Sequence, residues 1–272
     1  MTRVAICTDS SALLPAADAE RLGIEVVPVG ISLDGERFDD RALGDDAFYE
    51  RLAAGAVATT SQPSPGELAA AYARVAARGA RAVLSIHLDA HVSGTVDSAR
   101  LAAVEAPVPV TVVDCGTVSF GVAVCARAAA DSIARGASAP EAADVAVRLG
   151  SRLGNVFVAP GADQARVGST RGWNVLTFAD GVTRPVAGCA RVEDAVAAMA
   201  ERILAGDTDL RAAVGHTSVA VAGAADAVAA ALSAAPAVAA VERYRVGAPV
   251  GAHTGLLAFG AFWWPNAAFR DS

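Results

Sequence analysis

Short aliphatic and β-branched runs take turns with alanine-rich stretches along the first half of the chain. Residues 4–8, 24–31, 83–87 and 108–114 read as strands, and residues 45–54, 65–78, 94–106 and 120–135 as helices. Strands separated by helices of this length predict a parallel sheet covered on both faces. The second half is less regular. Residues 155–158, 175–178, 210–215 and 239–246 read as strands. Residues 192–205 read as a helix opened by Glu193 and Asp194, and residues 219–234 as another. A boundary is expected near residues 150–154, dividing the chain into an N-terminal α/β domain over 1–150 and a C-terminal α/β domain over 151–272.

Composition narrows the possibilities. A chain of 272 residues that is 54% hydrophobic can bury a substantial core, and its low aromatic share argues for helix-rich layers. The net charge of −7 argues against a nucleic-acid partner, which needs a basic stripe. All 22 basic residues are arginine, so the chain has no Schiff-base lysine, no phosphate-loop lysine and no Ser-Lys dyad. The four cysteines, Cys7, Cys115, Cys125 and Cys189, include no Cys-x-x-Cys pair and read as buried thiols of a reducing compartment. No signal peptide or membrane-spanning segment is expected, because the strand pattern starts at once and the apolar run 219–241 is interrupted by Asp226, Ser233 and Pro236. These features predict a cytoplasmic protein.

Ligands of open parallel sheets bind beyond the carboxyl ends of the strands. The residues there share one character. Thr8, Asp9, Ser10 and Ser11 follow the first strand, and residues 87–95 (HLDAHVSGT) follow the strand at 83–87. Asp114, Gly116, Thr117 and Ser119 come after the next, and residues 59–65 (TTSQPSP) precede the helix that starts at Pro65 with Ser64 as its cap. Hydroxyls, glycines and helix N-termini suit a carboxylate or phosphate, although the same residues also serve as ordinary caps.

A nucleophilic role for Ser93 requires a base and a Gly-x-Ser-x-Gly elbow; Ser93 lies instead in His-Val-Ser-Gly-Thr. His87 and His91 are four apart, yet on a strand end and loop that spacing is poor for a metal. His216 reads as structural. His253, among glycines and beside Thr254, is the most suggestive of the four histidines.

Taken together, Thr8-Asp9-Ser10-Ser11, Thr60-Ser61-Gln62-Pro63-Ser64-Pro65, Ser85-Ile86-His87 followed by Ser93-Gly94-Thr95, and Gly251-Ala252-His253-Thr254-Gly255 resemble the DegV family in order and spacing over nearly the whole chain. The resemblance implies a two-domain α/β fold, with an N-terminal parallel sheet covered by helices and a C-terminal domain holding a mixed sheet. It implies a long-chain fatty acid bound in a tunnel between the domains, with no other cofactor and no metal. Members of the FakB type present the acyl chain to a separate fatty acid kinase that forms the acyl phosphate. On that basis the carboxylate is expected to meet Thr60, Ser61, Ser93, Gly94, Thr95, His253 and Thr254, with Ser10 and Arg166 as further candidates. Arg166 stands in the shortened segment 159–168 for an arginine of the family's Gly-Gly-Arg-Ile stretch. Residues 26–31, Phe120 and Phe157 are candidates for the tunnel wall, and equally for the core. Two rival readings stay open: an acyl hydrolase or transferase in which Ser93 attacks with His253 or His91 as base, and a binder of another small carboxylate.

Overall fold

The computed structural model describes residues 3–39, 44–160, 172–206 and 208–269. By the density of their internal packing these form two compact units. The first comprises Met1–Gly30, Ser61–Arg152 and Ala268–Ser272, the second Ile31–Thr60 and Leu153–Ala267. The break after Arg152 lies close to the boundary expected near residue 150. The segment Ile31–Thr60 departs from the linear division, because its side chains pack with residues about two hundred positions further on, such as Tyr49 with Val246.

The first unit is built on the parallel sheet the sequence predicts. Strand order is β2 (Glu25–Val27), β1 (Val4–Asp9), β6 (Ala82–His87), β7 (Val110–Asp114), and every pairing is parallel. Parallel neighbours need crossovers, and the intervening helices supply them. Against one face lie α3 (Pro65–Ala77) and α4 (Thr95–Val104), whose Leu68, Ala71, Tyr72, Val75 and Ala99 pack with Cys7, Val27 and Val83. Packed on sheet strands and on each other are α5 (Phe120–Ala134) and α6 (Ala139–Gly150). The helix α3 starts where expected: Ser64 caps it, Glu67 reaches back to Ser64, and Pro65 occupies the first turn. Ser138, Pro140 and Glu141 open α6 in the same way. A short helix, α1 (Ala16–Leu22), precedes β2.

The expected strand over 24–31 is two strands. Pro28 has no N–H to give a ladder, and Val29 N–H turns aside to the Ser10 hydroxyl at 2.8 Å. The chain leaves the parallel sheet there and enters a three-stranded sheet of order β4-β3-β5, made of β3 (Gly30–Leu33), β4 (Glu36–Asp39) and β5 (Ala58–Ser61). The helix α2 (Asp45–Ala53) connects β4 to β5.

The second unit holds a six-stranded mixed sheet of order β10-β9-β8-β13-β11-β12. Its strands are β8 (Gly154–Val158), β9 (Val175–Ala179), β10 (Val182–Ala187), β11 (Leu210–His216), β12 (Val238–Arg245) and β13 (Phe259–Pro265). Only β11 and β12 run parallel; β13 enters antiparallel between β8 and β11. Met199 and Ile203 of α7 (Val192–Leu204) and Ala225, Val228 and Leu232 of α8 (Ala222–Ser233) pack with Val156, Val158, Val214 and Phe259. A last helix, α9 (Ala248–Thr254), follows β12. The aromatic run near the C-terminus is therefore strand β13, with Phe259 and Trp264 buried. Of the proposed tunnel residues, Val27, Ile31 and Phe120 are buried core positions and Phe157 is half-buried.

Candidate functional site

In the first unit, the turn between β6 and α4 is held by a polar net. Ser93 Oγ and Thr95 Oγ1 lie 2.8 Å apart, and Thr95 N–H donates to Ser93 Oγ at 3.3 Å. Gly94 N–H donates to Gln62 Oε1 at 3.1 Å, while Gln62 Nε2 reaches the Ser98 hydroxyl at 3.2 Å. Gly94 has an ordinary negative φ, so its glycine is needed for space: a Cβ there would stand about 2.6 Å from the Gln62 amide. Beside the expected Ser93, Gly94 and Thr95, Gln62 of the segment Thr60–Pro65 is a further member of the net, one that its local sequence does not announce. The backbone N–H groups of Gly94 and Thr95, expected to help a ligand, are engaged by Gln62 and Ser93 here. The hydroxyl pair of Ser93, half-buried, and Thr95, 1% exposed, lies at the first turn of a ten-residue helix, where the macrodipole favours a negative charge.

Behind this turn runs a chain of buried polar groups. His87 Nδ1 lies 2.7 Å from Asp9 Oδ2, His87 Nε2 lies 2.8 Å from Ser85 Oγ, and Tyr72 Oη lies 2.9 Å from the same hydroxyl. Asp9 also accepts from the backbone N–H and the hydroxyl of Ser11. A consistent direction of donation runs from Tyr72 through Ser85 and His87 to Asp9, with the tautomer of His87 that carries its proton on Nδ1. The order Ser85-His87-Asp9 matches that of a nucleophilic triad, but all three are fully buried, so the chain ties β1 to β6 instead. Nearby, His91 turns its Nδ1 and its backbone N–H to the buried Asp89. His87 and His91 thus face different carboxylates, and no cluster fit to hold a metal occurs among the described residues.

Ser61, exposed at the end of β5, and Ser10 belong to this unit too. The Ser10 hydroxyl accepts from Val29 N–H, a structural duty.

In the second unit, Thr60 Oγ1 and His253 Nε2 lie 2.9 Å apart. Thr60 comes from β5 and His253 from α9, so residues 193 positions apart in sequence meet. Thr254 does not join them: its hydroxyl turns back onto the Val250 carbonyl of its own helix at 3.2 Å. His216 pairs its Nδ1 with the Ser218 carbonyl at 3.2 Å, and burial pushes its imidazole below the ordinary value. Arg166 lies outside the described residues. The hydrolase reading gains no geometry, because Ser93 bonds Thr95, His91 bonds Asp89 and His253 bonds Thr60.

A family model described as "Uncharacterised protein, DegV family" matches residues 3–162. The chain belongs to the DegV family. A DegV domain-containing protein of Streptomyces coelicolor is 38% identical over 170 residues, 62% of this chain and 60% of its own length. Against that relative the chain thus spans three fifths of its partner. A Mycobacterium bovis member is 32% identical over 233 residues, 79% of this chain and 81% of that protein. Among solved structures, a fatty-acid-binding DegV family protein from Thermus thermophilus superposes with a TM-score of 0.83 at 28% identity, covering 97% of this chain and all of that one. A Bacillus subtilis DegV structure, at 24% identity and a TM-score of 0.84, shares the fold. The α/β fold with one parallel and one mixed sheet is that of the DegV structures. No helix among the described residues is long and apolar enough to cross a membrane.

Proposed function

We propose that this protein binds a long-chain fatty acid by its carboxylate and presents that carboxylate to a separate fatty acid kinase. The observation that carries the binding half is the full-length likeness to the Thermus thermophilus protein, whose structure is described by its fatty acid binding. Ser93 and Thr95 offer the carboxylate two hydroxyls at a helix start, and Thr60 on β5 offers a third, with Ser61 at the end of that strand a weaker member because successive strand residues face opposite sides. His253, already in contact with Thr60, completes the set. Hydroxyl and N–H donors of this kind hold a carboxylate without attacking it, and charge-assisted bonds are about twice as strong as neutral ones. Thr254, turned onto its own helix, and Arg166 are the weaker members of the proposed set. The presenting half is what the resemblance to FakB-type members of the family implies, and the absence of lysine and of a glycine-rich phosphate loop agrees with a nucleotide site on the partner. The reading requires no further cofactor.

Native mass spectrometry of freshly purified protein, followed by organic extraction, tests the binding half. The expected result is a fatty acid at near-equal stoichiometry, or its recovery after incubation with mixed saturated and monounsaturated acids. Protein that stays empty under both conditions overturns the reading. For the presenting half, a fatty acid kinase and ATP are added to loaded protein and acyl phosphate is trapped with hydroxylamine; no hydroxamate above the kinase-only control overturns it.

A further inference from the structure

Helix α9 is poorly equipped to hold its own direction. It has seven residues, a glycine at its N-cap with no side-chain cap, a proline in its first turn and glycines at 251 and 255. An isolated helix of that length is not stable in water, so packing must set where it points.

One turn of α2 supplies that packing. Tyr49 Oη donates to the Val246 carbonyl at 2.8 Å, just before α9 begins. Burial raises the carboxyl of Asp45, one turn earlier on the same face, and the backbone N–H of Ala248 at the start of α9 works against that rise. Arg245 pairs with Asp46 at 2.8 Å and lays its guanidinium 5.4 Å from the Tyr49 ring centre. Gly251 completes the contact, since any Cβ there would overlap the Tyr49 hydroxyl and ring. Four positions around the entry to α9, namely Arg245, Val246, Ala248 and Gly251, thus meet three residues of α2. At the far end of α9, His253 meets Thr60, which belongs to the same Ile31–Thr60 segment as α2.

We propose that α2 is a clamp that orients α9, with Tyr49 and Asp45 as positioning residues that set the His253 imidazole for ligand binding. This rests on the assignment of His253 to the carboxylate site. Neither Tyr49, 4% exposed, nor Asp45 touches the ligand in this account; both act through the helix.

The test compares Tyr49→Phe, Asp45→Ala and Asp45→Asn with the wild-type protein. Two quantities are measured: fatty acid affinity, and the side-chain NMR signals of His253 in ligand-free protein, assigned by their loss in His253→Gln. Tyr49→Phe removes the bond to Val246 and is expected to weaken binding about five- to tenfold, the worth of one buried hydrogen bond. His253 signals should shift while those of His216, in the same unit, stay. Asp45→Ala should behave alike, and Asp45→Asn, which keeps an acceptor oxygen beside the Ala248 N–H, should restore both readouts. If Tyr49→Phe and Asp45→Ala lower the melting temperature but leave affinity and His253 signals unchanged, the residues are merely structural and the proposal is overturned. Should Asp45→Ala not fold, Tyr49→Phe decides alone. Should the wild-type protein bind no fatty acid, the assigned function fails; the ligand-free His253 signals then judge the clamp, a shift supporting it and no shift overturning it.

Discussion

Asp9 ends β1 and Ser93 lies in the turn that follows β6, yet their surroundings assign them opposite duties. Ser93 is half-buried and bonded to a neighbouring hydroxyl that can rotate, so it can turn to a ligand. Replacing it with alanine is expected to weaken fatty acid binding about tenfold or more, in line with roughly 1.5–3 kcal/mol for a hydrogen bond to a charged group. The melting temperature should move little, since the position is a helix edge; equal affinity in Ser93→Ala, read by titration calorimetry, would remove Ser93 from the site. Asp9 instead accepts from His87 and twice from Ser11 in complete burial. Asp9→Ala leaves those donors stranded and should cost on the order of 3 kcal/mol or more in a urea titration. Ser93, Thr95, Thr60 and His253 were legible because hydroxyls and a histidine among glycines advertise themselves along the chain. Gln62 and Tyr49 were not: their roles depend on partners 36 and 197 positions away in sequence, at Ser98 and Val246, which no local pattern announces.

The strands of the parallel sheet were easy to read for a physical reason. Both of its faces are covered, so β1, β6 and β7 are near-continuous apolar runs bounded by turn residues. Strand β5 was hidden because Thr59, Thr60 and Ser61 are polar and partly exposed, and a polar strand resembles a loop. Helix α9 was hidden by its glycines and proline, and β13 by an aromatic run with no alternation. Helix α6 was missed although Ser138, Pro140 and Glu141 spell a start signal as clear as that of α3. That signal carries a pH prediction. The Ser138 backbone N–H, and then its hydroxyl, hold the Glu141 carboxyl below the ordinary 4.5. A depressed folded value means that the capped form's stability is fully present above pH 4.5 and is lost as pH falls through the folded value. Ser138→Ala should therefore lie below the wild-type protein in urea midpoint at neutral pH, and the gap should narrow in acid, where the hydroxyl loses its charged partner but its cap on Glu141 N–H is still missing. Parallel curves over that range would show that the box contributes nothing through Glu141.

The two-unit division has a consequence that the linear boundary does not. A cut near residue 150 leaves α2 attached to the first unit, where the buried Phe48 and Tyr49 have lost Val246, Gly251 and Arg245. A fragment spanning 1–152 should then expose those rings and self-associate. Gly30 and Ser61, however, approach so closely that a Cβ on Gly30 would collide with the Ser61 hydroxyl, so the ends of the excursion Ile31–Thr60 are already together. Joining residue 30 to residue 61 through two or three glycines closes a short loop at little entropic cost. The resulting chain, 1–30 linked to 61–152, keeps the four-stranded parallel sheet with helices α3 to α6 and their shared core. It is expected to be monomeric, to unfold cooperatively in urea and to give a dispersed amide spectrum, whereas the contiguous fragment 1–152 aggregates or shows line broadening. If the contiguous fragment proves the better-behaved of the two, the segment Ile31–Thr60 belongs energetically to the first unit, and its packing with α9 is a secondary contact.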